Sequence, residues 1–203
     1  MRIAIFGGSF DPIHFGHLWM AELSREAMQL DEVLFVPAAE SPLKPSGPVA
    51  SHEQRVAMLR LAISGHPSMR VDTREVERGG TSYTIDTVRS LKKERPEDEL
   101  FLLVGTDAFN SLDQWKTPME LLSMITPVVL RRGGDQDADW ALIERLAGKD
   151  RADEIRSSAL QIPMIEVSSG EIRAKTRAGR SIRYRVPHAV EAFIVAENIY
   201  RAD

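Results

Sequence analysis

Leu100–Val104 reads Leu-Phe-Leu-Leu-Val, five apolar residues with no polar alternation. Successive side chains on a strand point to opposite faces, so a strand of this kind needs both faces covered, as inside a parallel sheet sandwiched by helices. Short apolar runs recur at Arg2–Phe6, Glu32–Pro37, Thr126–Leu130 and Ile162–Val167, and an alternating run spans Met69–Val76. Most of the intervening segments have helical periodicity: His14–Met28, His52–Ile63 behind a Ser51 cap, Ser82–Glu94, Pro118–Ile125 and Trp140–Leu146, with Pro187–Tyr200 after the last strand. Strands joined through helices form right-handed βαβ units. The expected fold is therefore α/β, a Rossmann-like doubly wound parallel sheet with helices on both faces. No repeat or linker divides the chain, so one domain covering 1–203 is expected, with a helical part from residue 168. The polar stretch Gly133–Leu160 is expected to form a peripheral helix plus a loop.

The chain has no cysteine, which excludes disulfides, thiolate metal sites and a cysteine nucleophile. No apolar run is long enough to cross a bilayer, and the first apolar segment is too short for a signal-peptide core; the lack of cysteine fits the expectation of a cytoplasmic protein. A net charge of −4 argues against broad nucleic-acid binding. The charge is uneven, however. Between Ser168 and Arg185 lie Arg173, Lys175, Arg177, Arg180, Arg183 and Arg185 against the single acid Glu171. Such a concentration suits either a defined anionic ligand or a solvated helix face.

The stretch from Gly7 to Leu18, Gly-Gly-Ser-Phe-Asp-Pro-Ile-His-Phe-Gly-His-Leu, directly follows the first strand. In a doubly wound sheet this is where ligands bind, beyond the carboxyl ends of the strands. Gly7 and Gly8 permit a sharp turn and a close approach to the backbone. The amides of this turn, with a helix start behind them, form a phosphate cradle. His14 and His17, three apart, share a helix face and can address one anion. The helix dipole lowers an imidazole pKa here and a bound phosphate raises it, and in either form each ring can donate to phosphate oxygens. Asp11, His14 and His17 also have the chemistry of metal ligands, although no further cluster completes a coordination sphere. A dinucleotide-binding dehydrogenase would carry G-x-G-x-x-G at this point, and this chain does not.

Gly7–Leu18 resembles the G-x-F-D-P-x-H-x-G-H signature of the nucleotidylyltransferase superfamily. Ser168-Ser169-Gly170-Glu171-Ile172-Arg173 resembles that family's late S-S/T-x-x-I-R motif. The resemblance implies transfer of a nucleoside monophosphate from a triphosphate to a phosphate-bearing acceptor, by in-line attack without a covalent intermediate. Catalysis would then be positioning plus charge stabilisation. It further implies that His14 and His17 polarise the ATP phosphates, with His17 nearest the transferred phosphorus, and that Ser169 and Arg173 hold the outgoing pyrophosphate. Gly7, Gly8, Ser9, Phe10, Ser168 and Ile172 would complete this ATP site. Mg²⁺ would be carried with ATP, with no magnesium cage or other metal site in the protein.

Over the rest of its length the chain is similar to the bacterial nicotinate mononucleotide adenylyltransferases. The stretches that carry this are Phe-Val-Pro-Ala-Ala-Glu-Ser-Pro-Leu-Lys-Pro (35–45), Glu-Val-Glu-Arg-Gly-Gly-Thr-Ser-Tyr-Thr-Ile-Asp-Thr-Val (75–88), Leu-Leu-Val-Gly-Thr-Asp-Ala-Phe-Asn-Ser-Leu-Asp-Gln-Trp (102–115) and Val-Val-Leu-Arg-Arg-Gly-Gly (128–134). The likeness implies that Lys44 reaches the phosphates as a catalytic cation and that Gly105 and Asp107 lie by the nucleotide. Ser9, Lys44, Tyr83, Thr84, Trp115 and Arg132 would meet the nicotinate nucleotide, Trp115 stacking on the pyridine ring. Backbone N–H groups near Ile85 and Lys116 would select the acid over the amide. The expected partners are ATP and nicotinate mononucleotide, without nucleic acid or membrane; self-association is left open. Two departures stand out: Gly170 replaces a usual Thr, and the Lys44 loop carries Glu40-Ser41. The rival readings are the same chemistry on pantetheine phosphate or the amide mononucleotide, and a binding module without turnover.

Overall fold

The computed structural model describes residues 1–42, 47–133, 136–163 and 165–201, without the Arg132 side chain. Six strands, β1 (Arg2–Gly8), β2 (Glu32–Pro37), β3 (Met69–Val71), β4 (Glu99–Gly105), β5 (Thr126–Arg132) and β6 (Leu160–Ile162), form one sheet in the order β3-β2-β1-β4-β5-β6. This is the strand order of a Rossmann-like doubly wound parallel sheet, whose topological switch falls between β1 and β4. All six residues of β2 are buried, as are Phe101–Val104 of β4, so neither face of these strands meets solvent. Glu32, buried at the start of β2, is matched by Arg95 Nη1 at 2.8 Å.

By its contacts the chain divides into two compact units, each assembled from separated stretches. The first comprises Met1–Gly7, Met20–Leu34 and Tyr83–Met164. In it β1, β4, β5 and β6 run parallel, with Ile3 opposite Leu100, Leu103 opposite Val128 and Arg132 opposite Ile162. The helices α4 (Thr84–Glu94), α6 (Pro118–Met124), α7 (Trp140–Ala147) and α8 (Lys149–Ser157) pack in succession. The second unit comprises Gly8–Trp19, Phe35–Ser82 and Ile165–Asp203. There α2 (His52–Ala62) packs against β3 and against α10 (His188–Ala196), and α9 (Ser169–Arg177) follows β6 in the chain. Ser51 and Gln54 cap α2 reciprocally, each side chain bonding the other's amide. Among the described residues no helix is long and apolar enough to cross a membrane.

Four expectations from periodicity are corrected. The run Met69–Val76 is a strand only to Val71, because the Asp72 carboxylate accepts the Arg74 amide at 3.0 Å and turns the chain into the short helix α3 (Arg74–Arg78). The last strand is Leu160–Ile162 and not Ile162–Val167, since Pro163 has no N–H for the ladder. The polar stretch 133–160 holds two helices. The second, α8, buries only Ala152 and Ile155 and carries i,i+3 ion pairs Arg151–Glu154 and Arg156–Asp153 at 2.6 and 2.8 Å. Finally, α1 runs from Phe15 to Ala27, so His14 precedes the helix; its carbonyl accepts the amides of His17 and Leu18 at 3.0 and 3.2 Å.

Candidate active site

The turn after β1 is built from beneath by a buried cation. Arg55, on α2, is 0% exposed; its Nη1 donates to the Ser9 carbonyl at 2.8 Å and its Nη2 to the Ala38 carbonyl at 2.7 Å. Burial pushes its guanidinium down from its ordinary value and the nearby Asp11 carboxylate opposes that, so the group remains charged. The Ala38 amide in turn donates to the Gly8 carbonyl at 2.9 Å. A Cβ on residue 8 would lie 3.1 Å from Phe10 Cζ, so a larger residue there would have to push the Phe10 ring back by a few tenths of an ångström. Phe10 is buried with φ of +47°, against Phe35 at 5.7 Å between centroids and edge-on to His17 at 5.1 Å. Phe10, expected as an ATP contact, places its ring as a floor under His17.

His14 and His17 form one unit, their rings stacked at 3.7 Å between centroids and inclined by 23°. His14 is buried and His17 half-buried, so the second ring is the more accessible to a ligand. Gly16 sets this pair. A Cβ there would stand 3.0 Å from His14 Nδ1. Gly16→Ala is expected to lower kcat about tenfold through displacement of the imidazoles. Stability should stay within about 1 kcal/mol of wild type, because alanine's helix propensity offsets part of the clash. Steady-state rates beside a denaturant midpoint check this, and an unaltered kcat would remove Gly16 from the site. Two amides at the start of this helix are bonded inside the protein: Phe15 N–H donates to the Arg185 carbonyl at 3.0 Å and His17 N–H to that of His14.

The late helix docks on the same turn. Ser168 caps α9, its hydroxyl accepting the Glu171 amide. Ser169 donates its hydroxyl to the Pro12 carbonyl at 2.8 Å, and Arg173 Nη1 donates to the Asp11 carbonyl at 2.6 Å. The Ser169 hydroxyl, expected at the pyrophosphate, thus ties α9 to the turn, while the Arg173 side chain keeps 30% of its surface exposed. Ile172 offers no polar group: its side chain is fully buried and its amide closes the first turn of α9. A Cβ on Gly170 would meet only Ser168 Oγ at 3.9 Å, so the missing Thr reflects no lack of room. Of the basic stretch, Arg173 bonds the turn at Asp11. Lys175 and Arg185 share Glu171 at 3.6 and 3.4 Å, and Arg183 faces Glu191 at 3.8 Å.

Asp11 is committed within the protein. Its Oδ1 accepts Tyr200 O–H at 2.7 Å and Ala50 N–H at 3.0 Å, and its Oδ2 accepts Val49 N–H at 2.8 Å. Among the described residues no three His, Asp or Glu side chains come together as metal ligands.

The first unit carries the other expected contacts. Gly105 ends β4 and precedes the short helix α5 (Thr106–Phe109), in whose first turn Asp107 is exposed. Tyr83 precedes α4, so the amides of Thr84 and Ile85 head a helix, where backbone N–H groups have no intrahelical acceptor. Ile85's side chain itself is buried. Lys116 lies over the Tyr83 ring at 4.5 Å and is held there by Asp86 at 2.9 Å. Trp115 is half-buried, and its indole Nε1 has no hydrogen-bond partner among the described residues. Lys44 and the Arg132 side chain lie outside the described residues. Arg55, Gly16 and Tyr200 went unnoticed at the sequence level. A signal for Arg55 existed: it shares the buried face of α2 with Met58 and Leu59, at positions i, i+3 and i+4.

A parallel sheet with a cationic, imidazole-bearing turn at its switch point defines a nucleotide-handling α/β protein, and residues 5–175 match the model of the cytidylyltransferase-like family, to which the chain belongs. Within that family it stands with the nicotinate-nucleotide adenylyltransferases. It is 44% identical to the probable nicotinate-nucleotide adenylyltransferase of Rhodopirellula baltica over 98% of this chain and 93% of the relative. The corresponding protein of Herpetosiphon aurantiacus is 40% identical over 99% of both chains. The fold matches that of Plasmodium falciparum nicotinic acid mononucleotide adenylyltransferase complexed with NaAD, with a TM-score of 0.73 over 98% of this chain and 97% of that one at 16% identity.

Proposed function

We propose that the chain transfers the adenylyl group of ATP to nicotinate mononucleotide, forming nicotinate adenine dinucleotide in NAD biosynthesis. An oxygen of the acceptor's phosphate attacks the α-phosphorus, the new P–O bond forms as the α–β bridging P–O bond breaks, and pyrophosphate leaves with its electron pair. No residue need bond to phosphorus. The observation that carries the reading is the turn itself, where two stacked imidazoles and the Arg173 guanidinium meet on residues 8–17 as donors suited to a charged phosphate. His17 donates to the reacting phosphate as negative charge builds on it, with His14 behind it, and Arg173 receives the leaving pyrophosphate. Lys44 adds a cation to the phosphates.

Mg²⁺ enters as part of the ATP substrate. Three donors already occupy the Asp11 oxygens, so the ion would be held by phosphate oxygens and water. The nicotinate ring lies against Trp115, and its carboxylate accepts the amides that head α4. Trp115→Ala is expected to raise KM for nicotinate mononucleotide about tenfold or more, the worth of one stacked base, while KM for ATP moves less than about twofold. Equal effects on both would mean that the indole only packs. The assignment as a whole is tested by incubating the protein with MgATP and, separately, nicotinate mononucleotide, its amide and phosphopantetheine. Pyrophosphate and dinucleotide should form fastest with the first. Turnover confined to either other acceptor, or none at all, overturns the reading.

A further inference from the structure

We propose that Tyr200 is a positioning residue for the anion site: it holds the Asp11 carboxylate off Arg173, so that the guanidinium stays available to a pyrophosphate group. The inference rests on the reading above in giving Arg173 to the phosphates.

Arg173 and Asp11 lie side by side yet fail to pair closely. Unhindered, the two close to about 2.8 Å, often through two parallel hydrogen bonds. Here Arg173 Nη1 stands 3.5 Å from Asp11 Oδ2 and gives its short bond, 2.6 Å, to the carbonyl of the same residue. Three donors turn the carboxylate away: Tyr200 O–H and Ala50 N–H on Oδ1, Val49 N–H on Oδ2. Two of these are backbone. Tyr200 is the only side chain of the three, and the one that substitution can remove without moving the chain.

Tyr200 is placed for this task at some local cost. It follows α10 with φ of +65°, a backbone region that side chains other than glycine rarely adopt, yet it is 4% exposed and its neighbour Ile199 is buried too. Burial, reinforced by the adjacent Asp11 charge, raises the phenol's pKa, so the hydroxyl remains a donor throughout the working range. Without that donor the buried carboxylate is one hydrogen bond short, and Arg173 Nη1, already 3.5 Å from Oδ2, stands close enough to be drawn onto it. A tightened Asp11–Arg173 pair competes with any anion for the same guanidinium.

A double-mutant cycle on the full chain tests this, with inorganic pyrophosphate as the probe, titrated calorimetrically into wild type, Tyr200→Phe, Arg173→Ala and the double variant. Tyr200→Phe should weaken pyrophosphate binding about tenfold, in line with the loss of a hydrogen bond to a charged group. In the Arg173→Ala background the same change should cost less than about twofold. KM for ATP should follow pyrophosphate, and KM for nicotinate mononucleotide should hold. An equal loss in both backgrounds, or none in wild type, reduces Tyr200 to an anchor and overturns the proposal. Pyrophosphate binding untouched by Arg173→Ala alone faults the assignment of Arg173 to phosphate, and the inference falls with it. Failure to form dinucleotide beside an intact cycle faults only the choice of acceptor. Should Tyr200→Phe not fold, Asp11→Asn removes the competing charge and must bind pyrophosphate at least as tightly as wild type; weaker binding overturns the proposal.

Discussion

His17→Ala is expected to lower kcat for dinucleotide formation by about 10²- to 10³-fold, the usual cost of deleting one donor aimed at developing transition-state charge. Its KM values should move far less, because the interaction strengthens only as charge accumulates on the transferred phosphate. The fold should survive. His17 lies in the first turn of α1, where alanine is a better helix former than histidine, and its ring is half-buried over Phe10. The effect should also exceed that of His14→Ala, since His14 lies behind it in the stack and is the more buried ring. Rates at saturating MgATP, with circular dichroism to verify folding, decide the matter. A folded His17→Ala enzyme with full kcat would leave the imidazole pair without a chemical role.

The second large effect concerns stability. Arg55→Met removes a wholly buried cation and strands the carbonyls of Ser9 and Ala38, while Asp11 loses a compensating charge. Replacing an entire buried network with apolar residues can be neutral, whereas removing one member leaves its partners uncompensated. The expected loss is about 3 kcal/mol, read as a fall of about 10 °C in the thermal midpoint of a chain this long. Activity measured well below that midpoint should also fall, because the Ser9 carbonyl anchors the turn that carries Phe10 and, beyond it, the histidines. A midpoint within about 2 °C of wild type would show that methionine fills the site and that the two carbonyls find other donors.

The strands with unbroken apolar runs, β2 and β4, were plain in the sequence because burial on both faces demands an uninterrupted run of apolar residues. Helices with a strong apolar stripe or a capping box were equally visible. Where periodicity misled, one local interaction had outweighed it. Asp72 folded back on the Arg74 amide within what read as an alternating strand, and Pro163 denied β6 its expected extent. The polar α8 escaped notice because two buried side chains suffice to dock it.

The site divides in the same way. Its chemical inventory is one-dimensional: Gly-Gly after a strand, two histidines three apart and a late Ser/Arg motif are fixed by chain order, and it was their resemblance to a known family's signatures that pointed to the reaction class. What each member does was decided in three dimensions. Ser169 bonds the Pro12 carbonyl, Asp11 is claimed by residues 49, 50 and 200, Phe10 is a floor and Arg55 a buried support. Their partners stand anywhere from 17 to 189 positions away along the chain, apart from His17 over Phe10. A hydrogen bond is satisfied by whichever group arrives within about 3 Å, and only the folded backbone settles which group that is.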